Sequence, residues 1–414
     1  MYEVTVLPNG VPIISEHIPY VRSVSIGFWW HTGSRHEVDR LCGASHFIEH
    51  MLFKGTTNRS ARDIAEAIDF AGGQLNAFTS KEHTCYYARV LDEHLDLAVD
   101  IISDMMLNSC FASDELEKER AVILEEIRMC EDTPDEIVHD LFIASALAGH
   151  PLAHSILGTE DTVCAIHRDD LLAYMQQRYH AGNLVIAAAG NVPHAEIVRA
   201  VTERLATLQS QTTPDNYQEA HKMGADILKN KDTEQVHLCM GGLGIQRNSP
   251  EIYALHILDM ALGGGMSSRL FQELREKRGL VYATYSYHTL FQDAGIFSVY
   301  AGTSPRNVRK VVRVIRQQFA DVCAHGLHPD EIKRAKEQLK GSLMLSLENT
   351  VNRMSRLAKM QLFSEEMLTP DELVTRIEKV TSSEVQAVAK TLLQRANQVI
   401  TAVGPVNQQM LEEE

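Results

Sequence analysis

The sequence has little of what several common classes of protein need. Its seven cysteines are scattered, odd in number and without a Cys-x-x-Cys pair. This argues against a thiolate zinc site and a disulfide framework, and it favours a reducing compartment. The formal net charge is −16, whereas a surface that binds nucleic acid is basic. No apolar run is long enough to span a membrane, and the first residues lack a basic stretch followed by an apolar one. We therefore predict no nucleic-acid or membrane partner and a cytoplasmic location.

Two catalytic motifs are also missing. The glycines at 263–265 are not followed by Gly-Lys-Ser or Gly-Lys-Thr, so they do not predict a phosphate-binding loop. The sequence has no Gly-x-Ser-x-Gly segment, and nothing singles out one cysteine as a nucleophile. The chemistry has to be sought in other residue types.

One short run carries the strongest chemical signal. The run from Gly43 to Gly55 has no internal Gly or Pro and predicts a helix of about three turns. His46 and His50 are four residues apart and project from one face, and Glu49 lies beside them. Two imidazoles at this spacing can hold one zinc ion, and the neighbouring carboxylate can take a proton from the zinc-bound water. The order His-x-x-Glu-His is the inverzincin pattern.

The alternative is two ordinary surface histidines in a chain that has 19 of them. That interpretation leaves three ionisable side chains on a helix whose other side is apolar, which is costly unless something satisfies them. A bound metal ion would satisfy them.

A second predicted helix can supply a third ligand. It begins near Ser113 and has acidic residues in its first turn, as helix N-termini prefer. Glu119 and Glu126 are seven residues apart, two helical turns, and therefore share a face. Carboxylates on an inward face need a cation, so these two are candidates for binding or supporting the metal.

His46-x-x-Glu49-His50, followed by Glu119 and Glu126, resembles the pitrilysin family of zinc metallopeptidases. The branch it most resembles is the one similar to the mitochondrial processing peptidase, in its bacterial single-chain form. The resemblance implies one Zn²⁺ per chain on His46, His50 and Glu126, with Glu49 as the general base that activates the zinc-bound water. It also implies that Glu119, which belongs with the catalytic residues, is a carboxylate that supports a metal ligand without binding the metal itself.

The third ligand has one rival. The spacing from His50 to Glu126 is one residue shorter than the family's usual count, which leaves Glu125 as an alternative. We prefer Glu126 because it precedes Ile127, as in the family, and is in phase with Glu119.

Residues 74–80 and 84–91 predict a pair of strands, of which the first is a short edge strand. An edge strand has free backbone groups and can pair with an extended peptide. In the resembled family, a strand with this Asn-Ala signature binds the substrate backbone beside the zinc. The implied substrate-binding residues are Asn76, Ala77, Phe78 and Thr79. The alternative is a plain edge strand with a structural Asn.

The chain contains an internal repeat. Val380 to Val385 parallels Ile166 to Leu171 at an offset of 214, and Val399 to Val406 parallels Val185 to Val192 at the same offset. We interpret this as two copies of one α/β unit of about 200 residues, a normal domain size. The fold class is α+β, with a mainly antiparallel sheet packed with helices in each copy. The predicted boundaries are 1–209 for the zinc-binding domain, 210–231 for a polar linker and 232–414 for the second domain.

The copies differ at the predicted site. When the two corresponding helices are aligned at their first Asp-Glu pair, Ala335 corresponds to Glu119 and Ser342 corresponds to Glu126. No His-x-x-Glu-His occurs in the second half. The second domain is therefore predicted to keep the fold and to lack the metal.

The second half has a different candidate, the segment from Arg275 to Tyr282, which resembles the family's Arg…Gly-Leu-x-Tyr segment. There, an arginine and a tyrosine seven residues apart contact the substrate and the oxyanion from the domain that faces the zinc. Guanidinium and phenol groups can both donate hydrogen bonds to a developing negative oxygen. Arg278 is the rival for Arg275, and a solvated basic turn is the alternative to the role itself.

These inferences predict a zinc-dependent metalloendopeptidase that hydrolyses peptides or small unfolded proteins inside a chamber. Family chambers are built from four such units and this chain has two, so the resemblance implies a homodimer. It further implies that Arg275 and Tyr282 act on the zinc site of the partner. One rival is a non-catalytic assembly subunit of the same fold. Another is a structural metal protein with a fourth protein ligand and a dispensable Glu49.

Overall fold

The computed structural model describes residues 2–211, 213–215, 217–220 and 223–411. Its strands are β1 (Tyr2–Val6), β2 (Pro12–His17), β3 (Ser23–Trp30), β4 (Gln74–Thr79), β5 (Thr84–Leu91), β6 (Leu184–Gly190), β7 (Ile227–Asn230), β8 (Val236–Leu243), β9 (Val281–Leu290), β10 (Gly295–Thr303) and β11 (Val399–Gly404). Its α-helices are α1 (Ala44–Leu52), α2 (Ala61–Phe70), α3 (Leu95–Asn108), α4 (Ser113–Asp132), α5 (Pro134–Ala146), α6 (Glu160–Ala165), α7 (Arg168–Arg178), α8 (His194–Leu205), α9 (Ile252–Gly263), α10 (Val308–His325), α11 (Pro329–Ser346), α12 (Thr350–Leu362), α13 (Pro370–Lys379) and α14 (Ser382–Leu392).

The strands form two sheets whose topology matches except for β1, which has no counterpart among the described strands of the second sheet. The first has the order β1-β2-β6-β3-β5-β4 and the second the order β7-β11-β8-β10-β9. Each contains one parallel pair, β2 with β6 and β7 with β11, and the other pairs are antiparallel. Strands β6 and β11, which the offset of 214 relates in sequence, occupy equivalent places. The predicted α+β class and its repeat are confirmed.

Strand β3 shows why the central strands are continuously apolar in sequence. Its Phe28 and Trp30 face one hydrophobic cluster with Phe47 of α1, whereas Trp29 faces another with Met354 of α12. A sheet that is covered by helices on both faces needs apolar residues at successive positions rather than at alternate ones. The sheet thereby gives α1 a firm support.

The chain divides into two compact units that exchange one segment each. The first unit comprises Met1–Ile127, His154–Asn216 and Leu345–Met367, and the second comprises Arg128–Ala153, Tyr217–Met344 and Leu368–Glu414. As a result, α5 packs in the second unit with Cys239 and Val403, and α12 packs in the first with Trp29. The predicted continuous domains, 1–209 and 232–414, differ from the compact units by these two segments. The apolar face of a helix does not reveal which sheet it will cover.

The predicted linker, 210–231, differs from the structure at its end. Residues 212, 216, 221 and 222 lie outside the described residues. Residues 227–230 form β7, which pairs in parallel with β11. This short, half-exposed strand has no clear alternation of apolar and polar residues, so the sequence pattern did not predict it.

The seven cysteines all lie in the described ranges as free thiols. Within those ranges, the helices are either too short or too polar to cross a membrane.

Candidate metal centre

Helix α1 carries the predicted motif on one face and core residues on the other. Phe47, Met51 and Leu52, on the side that the sequence showed to be apolar, are fully buried in the first unit. The two motif histidines and Glu49 lie on the opposite face and remain partly exposed. The apolar face fixes the helix against the sheet, so the polar face is held in a defined position.

The imidazoles of α1 converge on one carboxylate of α4. The Nε2 atoms of His46 and His50 lie 3.7 and 3.6 Å from the same oxygen, Oε2 of Glu126. The three ligand atoms lie within 4.8 Å of one another. Two ligands bound to a tetrahedral zinc ion at ~2.0–2.1 Å are roughly 3.3 Å apart, and a His₂Glu set leaves a fourth position open. The residues therefore fit a zinc ion.

The protonation of His46 favours the same conclusion. Burial, with a smaller contribution from His50, lowers the pKa of His46 to about 4. Near neutral pH, its imidazole is therefore uncharged and offers a lone pair. Its Nδ1 is buried and has no hydrogen-bond partner in the described part of the chain. Atoms whose lone pairs face one another with no proton between them repel each other. Such an arrangement is unfavourable unless a cation binds to the lone pairs.

The structure places Glu126, rather than Glu125, against the two histidines. Glu125 is the next residue along α4 and is exposed, whereas Glu126 is half-buried. Glu126 lies on the same helical face as Glu119, two turns away, as the sequence predicted. The position of Glu126 favours it over Glu125 as the candidate third ligand.

Glu119 contacts the His50 ring at the nitrogen that does not face Glu126. It is buried, and its Oε2 lies 2.9 Å from Nδ1 of His50 while its Oε1 lies 2.8 Å from Nζ of Lys54. A proton on Nδ1 that is donated to this carboxylate leaves Nε2 of His50 with a lone pair on the side of Glu126. Lys54 balances the negative charge of Glu119. Glu119 thus orients His50 and is not itself one of the three converging candidate ligands.

Replacing Glu119 with Gln should lower zinc affinity by about 10–100-fold, the usual effect of losing a carboxylate that orients a ligating histidine. Competition with a chromophoric chelator measures that affinity. Glu117→Gln is the matched control, since Glu117 is exposed on the same helix. Equal zinc affinity in the two variants would refute the supporting role.

Glu49 and the edge strand are directly connected. Thr79 Oγ1 donates a hydrogen bond of 2.5 Å to Oε2 of Glu49. Burial raises the pKa of Glu49, and this hydrogen bond partly opposes the rise. The last residue of β4 therefore holds one oxygen of the predicted base.

Strand β4 lies at the edge of the first sheet, as predicted. It pairs with β5 on one side, and no described strand pairs with its other side. Asn76, Ala77 and Phe78 precede Thr79 in this strand, and Phe78 is 37% exposed while its ring contacts Trp29 edge-on. The unpaired backbone groups can receive an extended chain beside Glu49.

One positioning residue was missed by the sequence analysis. Glu37, in the loop before α1, accepts hydrogen bonds from the backbone N–H groups of Gly43 at 2.8 Å and Ser45 at 2.7 Å. Gly43 occupies the N-cap with a φ of 97° and has no side chain to cap the helix. The Glu37 carboxylate, which lies outside the N-cap position, therefore accepts the hydrogen bonds at the start of α1. The absence of Ser, Thr, Asp or Asn at the cap was the available signal.

Replacing Glu37 with Ala should destabilise the protein by about 2–4 kcal/mol, because a helix cap is lost and two buried N–H groups lose their acceptor. Zinc affinity should fall as well, since the start of α1 is no longer fixed. Urea unfolding with and without zinc measures both effects. Unchanged stability would show that water or another group replaces the carboxylate.

The same residue should make stability depend on pH. Burial raises the pKa of Glu37 from 4.5 to about 7, against the opposing effect of its backbone hydrogen bonds. The folded state then binds the proton more tightly than the unfolded state, so the stability that Glu37 contributes falls as the pH rises from 4.5 to about 7. In Glu37→Gln this part of the slope should be absent. The difference between the two unfolding free energies, measured across that range, tests the sign.

Arg275 and Tyr282 come together within the second unit. The guanidinium carbon of Arg275 lies 5.2 Å from the ring centre of Tyr282 and 4.9 Å from that of Phe271. The Tyr282 side chain is 75% exposed. The rival, Arg278, is instead paired with Glu273. Arg275 is thus the arginine that shares a surface with Tyr282.

A second cluster in the first unit does not fit a metal. Ligand atoms of His31, His36 and Asp215 lie within 4.8 Å of one another. However, Nδ1 of His36 accepts a hydrogen bond from the backbone N–H of Gly33, so the neutral ring carries its proton on Nε2, the atom that faces Asp215. The Arg178 guanidinium also pairs with Asp215. Together with Nδ1 of His31, which lies 3.2 Å from Oδ2 of Asp215, the Arg178 guanidinium already occupies both carboxylate oxygens.

Comparison with known proteins places the site in a family. The family model "Insulinase (Peptidase family M16)" matches residues 12–160, which contain the metal cluster, and the model "Peptidase M16 inactive domain" matches residues 165–339. The chain is 44% identical over 410 residues to an "uncharacterized zinc protease" of Streptomyces coelicolor, covering 97% of this chain and 89% of the relative. It is 43% identical over 384 residues to the "uncharacterized zinc protease YmxG" of Bacillus subtilis, covering 93% and 94%.

Solved structures share the fold at lower identity. A peptidase M16 inactive domain from Pseudomonas fluorescens matches with a TM-score of 0.91 and 21% identity, over 98% of both chains. A protease from Helicobacter pylori matches with a TM-score of 0.90 and 21% identity, over 97% of this chain and 99% of that one. The sequence relatives and the two family models together show that the chain belongs to peptidase family M16, the pitrilysin-type family that its zinc motif predicted.

Proposed function

We propose that the protein is a zinc-dependent metalloendopeptidase that hydrolyses peptides or small unfolded proteins in a chamber. The observation that carries the proposal is the convergence of His46, His50 and Glu126, with Glu49 beside them. The relatives named zinc proteases support zinc as the metal. Bound there, zinc would supply a Lewis acid and lower the pKa of a coordinated water.

The chain's own residues divide the remaining work. Glu49 accepts a proton from the attacking water and later delivers it to the leaving amine. Its burial strengthens its affinity for the proton, which suits a base that works near neutral pH. Thr79 fixes one of its oxygens, so the carboxylate is held in one orientation.

Strand β4 binds the substrate main chain. Its outer row of backbone N–H and C=O groups pairs with an extended peptide, and exposed Phe78 provides an apolar contact. Pairing through the backbone tolerates many side chains. The enzyme is therefore expected to accept varied sequences in extended conformation.

Arg275 and Tyr282 stabilise the oxyanion, and the protein works as a homodimer in which they act on the partner's site. The stacking of the guanidinium on the phenol ring supports their joint action, and the exposure of Tyr282 supports contact with a ligand. Mixing a Glu49→Gln chain with an Arg275→Ala chain should then restore activity. Each mixed dimer holds one intact site, so random exchange should give about a quarter of the wild-type rate. A rate no higher than that of the separate variants would contradict action in trans.

Cleavage of a pool of quenched peptides with blocked termini tests the proposed reaction. An endopeptidase cuts internal bonds of such peptides, and mass spectrometry of the products locates them. Cleavage that needs zinc and falls on internal bonds supports the proposal. A zinc-loaded protein that cuts none of them favours the non-catalytic assembly subunit, and a protein that needs free termini is an exopeptidase.

A further inference from the structure

A basic groove lies on the second unit and shares no residue with the candidate metal centre. Its volume is about 850 Å³, and it is formed by α10, the end of α14, the segment that follows α14, and Leu411. Among the residues that the structure describes, those that line the groove include no acidic one, although the whole chain has a net charge of −16. The cations that line it are Arg309, Arg313, Arg316, Lys390 and Arg395.

The helix geometry concentrates these charges. Arg309, Arg313 and Arg316 are spaced four and three residues apart on α10 and so lie on one face. The opposite face is buried in the core of the unit. Asp321, an acidic residue of the same helix, pairs with Arg269 and does not line the groove.

Two of the guanidinium groups already bind peptide backbone. Arg309 donates a hydrogen bond of 2.6 Å to the carbonyl of Gln409, and Arg316 donates one of 3.2 Å to the carbonyl of Leu411. The side chain of Leu411 is 4% exposed and lies against an apolar floor. One end of the groove therefore holds a leucine through its side chain and its carbonyl.

The floor and the rim of the groove differ in character. Ala320, Ala324 and the half-buried Cys323 line it with apolar groups, whereas Arg313 and Lys390 line it as exposed cations. A ligand with negative charges alone would leave the exposed Ala320 and Ala324 uncovered. The volume lies within the range of about 300–1,000 Å³ that is typical of ligand sites.

We infer that this groove is a docking site for an acidic peptide segment, in which carboxylates flank an apolar side chain. The carboxylates pair with Arg313 and Lys390, and the apolar side chain lies against Ala320 and Ala324. Single exposed ion pairs contribute little, so binding requires several of them together and weakens with salt. The inference does not depend on the proposed peptidase activity.

A fluorescent peptide with a leucine between glutamates, titrated with the full chain, tests the inference by anisotropy. The double variant Arg313→Glu with Lys390→Glu should bind at least about tenfold more weakly, because two attractive contacts become repulsive. The control is Arg306→Glu with Lys310→Glu. These residues are exposed, do not line the groove and give the same change in net charge.

The outcomes separate the inference from simpler ones. Binding that survives in the control, is lost in the groove variant and falls between 50 and 300 mM salt supports it. Equal losses in both variants would indicate general charge attraction and overturn it. Binding of inorganic triphosphate without binding of the peptide would indicate a small-anion site and would also overturn it.

Discussion

Replacing Glu49 with Gln should abolish nearly all peptide hydrolysis while leaving zinc bound. The amide keeps the size of the side chain and can still accept the hydrogen bond from Thr79, but it cannot take a proton. A positioned base typically contributes 10²–10⁴-fold to the rate. Glu49 does not belong to the converging set of His46, His50 and Glu126, so zinc affinity should change little.

The test is kcat/KM on one cleaved peptide, with the zinc content of the same samples determined by elemental analysis. Glu66→Gln is the control, because Glu66 is exposed on the neighbouring helix α2. A Glu49→Gln protein that retained activity within a few-fold would show that Glu49 is not the base. Loss of zinc instead of activity alone would assign it a structural role.

Replacing Glu126 with Gln should lower zinc affinity by more than 100-fold, whereas Glu125→Gln should leave it unchanged. Loss of a supporting carboxylate costs about 10–100-fold, and loss of a direct ligand costs more. Both variants remove one negative charge from α4, so the comparison cancels the general electrostatic effect. Only Glu126 faces the Nε2 atoms of the two histidines.

Zinc affinity can be measured by competition in the two variants and the wild type. Hydrolysis at saturating zinc then shows whether activity follows occupancy. If Glu125→Gln were the variant that lost zinc, the third ligand would be the neighbouring carboxylate and α4 would have to rotate. If neither lost zinc, the His₂Glu set would be wrong.

The convergence of His46, His50 and Glu126 could be predicted in part because it depends on helix periodicity. His46 and His50 on α1, and Glu119 and Glu126 on α4, are each fixed relative to one another by spacing alone. The family resemblance then joined the two helices. Strand β4 could also be predicted at the edge, because its short length and its small and polar residues are local features.

Other features depend on contacts that local patterns do not encode. The capping of α1 by Glu37 joins residues six and eight positions apart through an irregular loop. The exchange of α5 and α12 joins helices to sheets in the other half of the chain. Neither depends on a periodic pattern. The bond from Thr79 to Glu49 was likewise absent from the prediction, which assigned Thr79 to the substrate alone.

The repeat also explains what the second unit lacks. Its helix α11 corresponds to α4, yet Ala335 and Ser342 replace the two carboxylates. The unit keeps its sheet order because the apolar positions are retained. Its polar surface is not constrained in this way and can differ from that of the first unit. Arg275, Tyr282 and the basic groove lie on this surface.

Titration of the metal-free chain with zinc, with peptide hydrolysis recorded after each addition, tests the central claim most directly. We predict no hydrolysis without zinc, a rise in proportion to added zinc, and a plateau at one equivalent per chain. Stoichiometric zinc binding without hydrolysis of any peptide, or hydrolysis that persists without zinc, would contradict the assignment of a zinc-dependent peptidase.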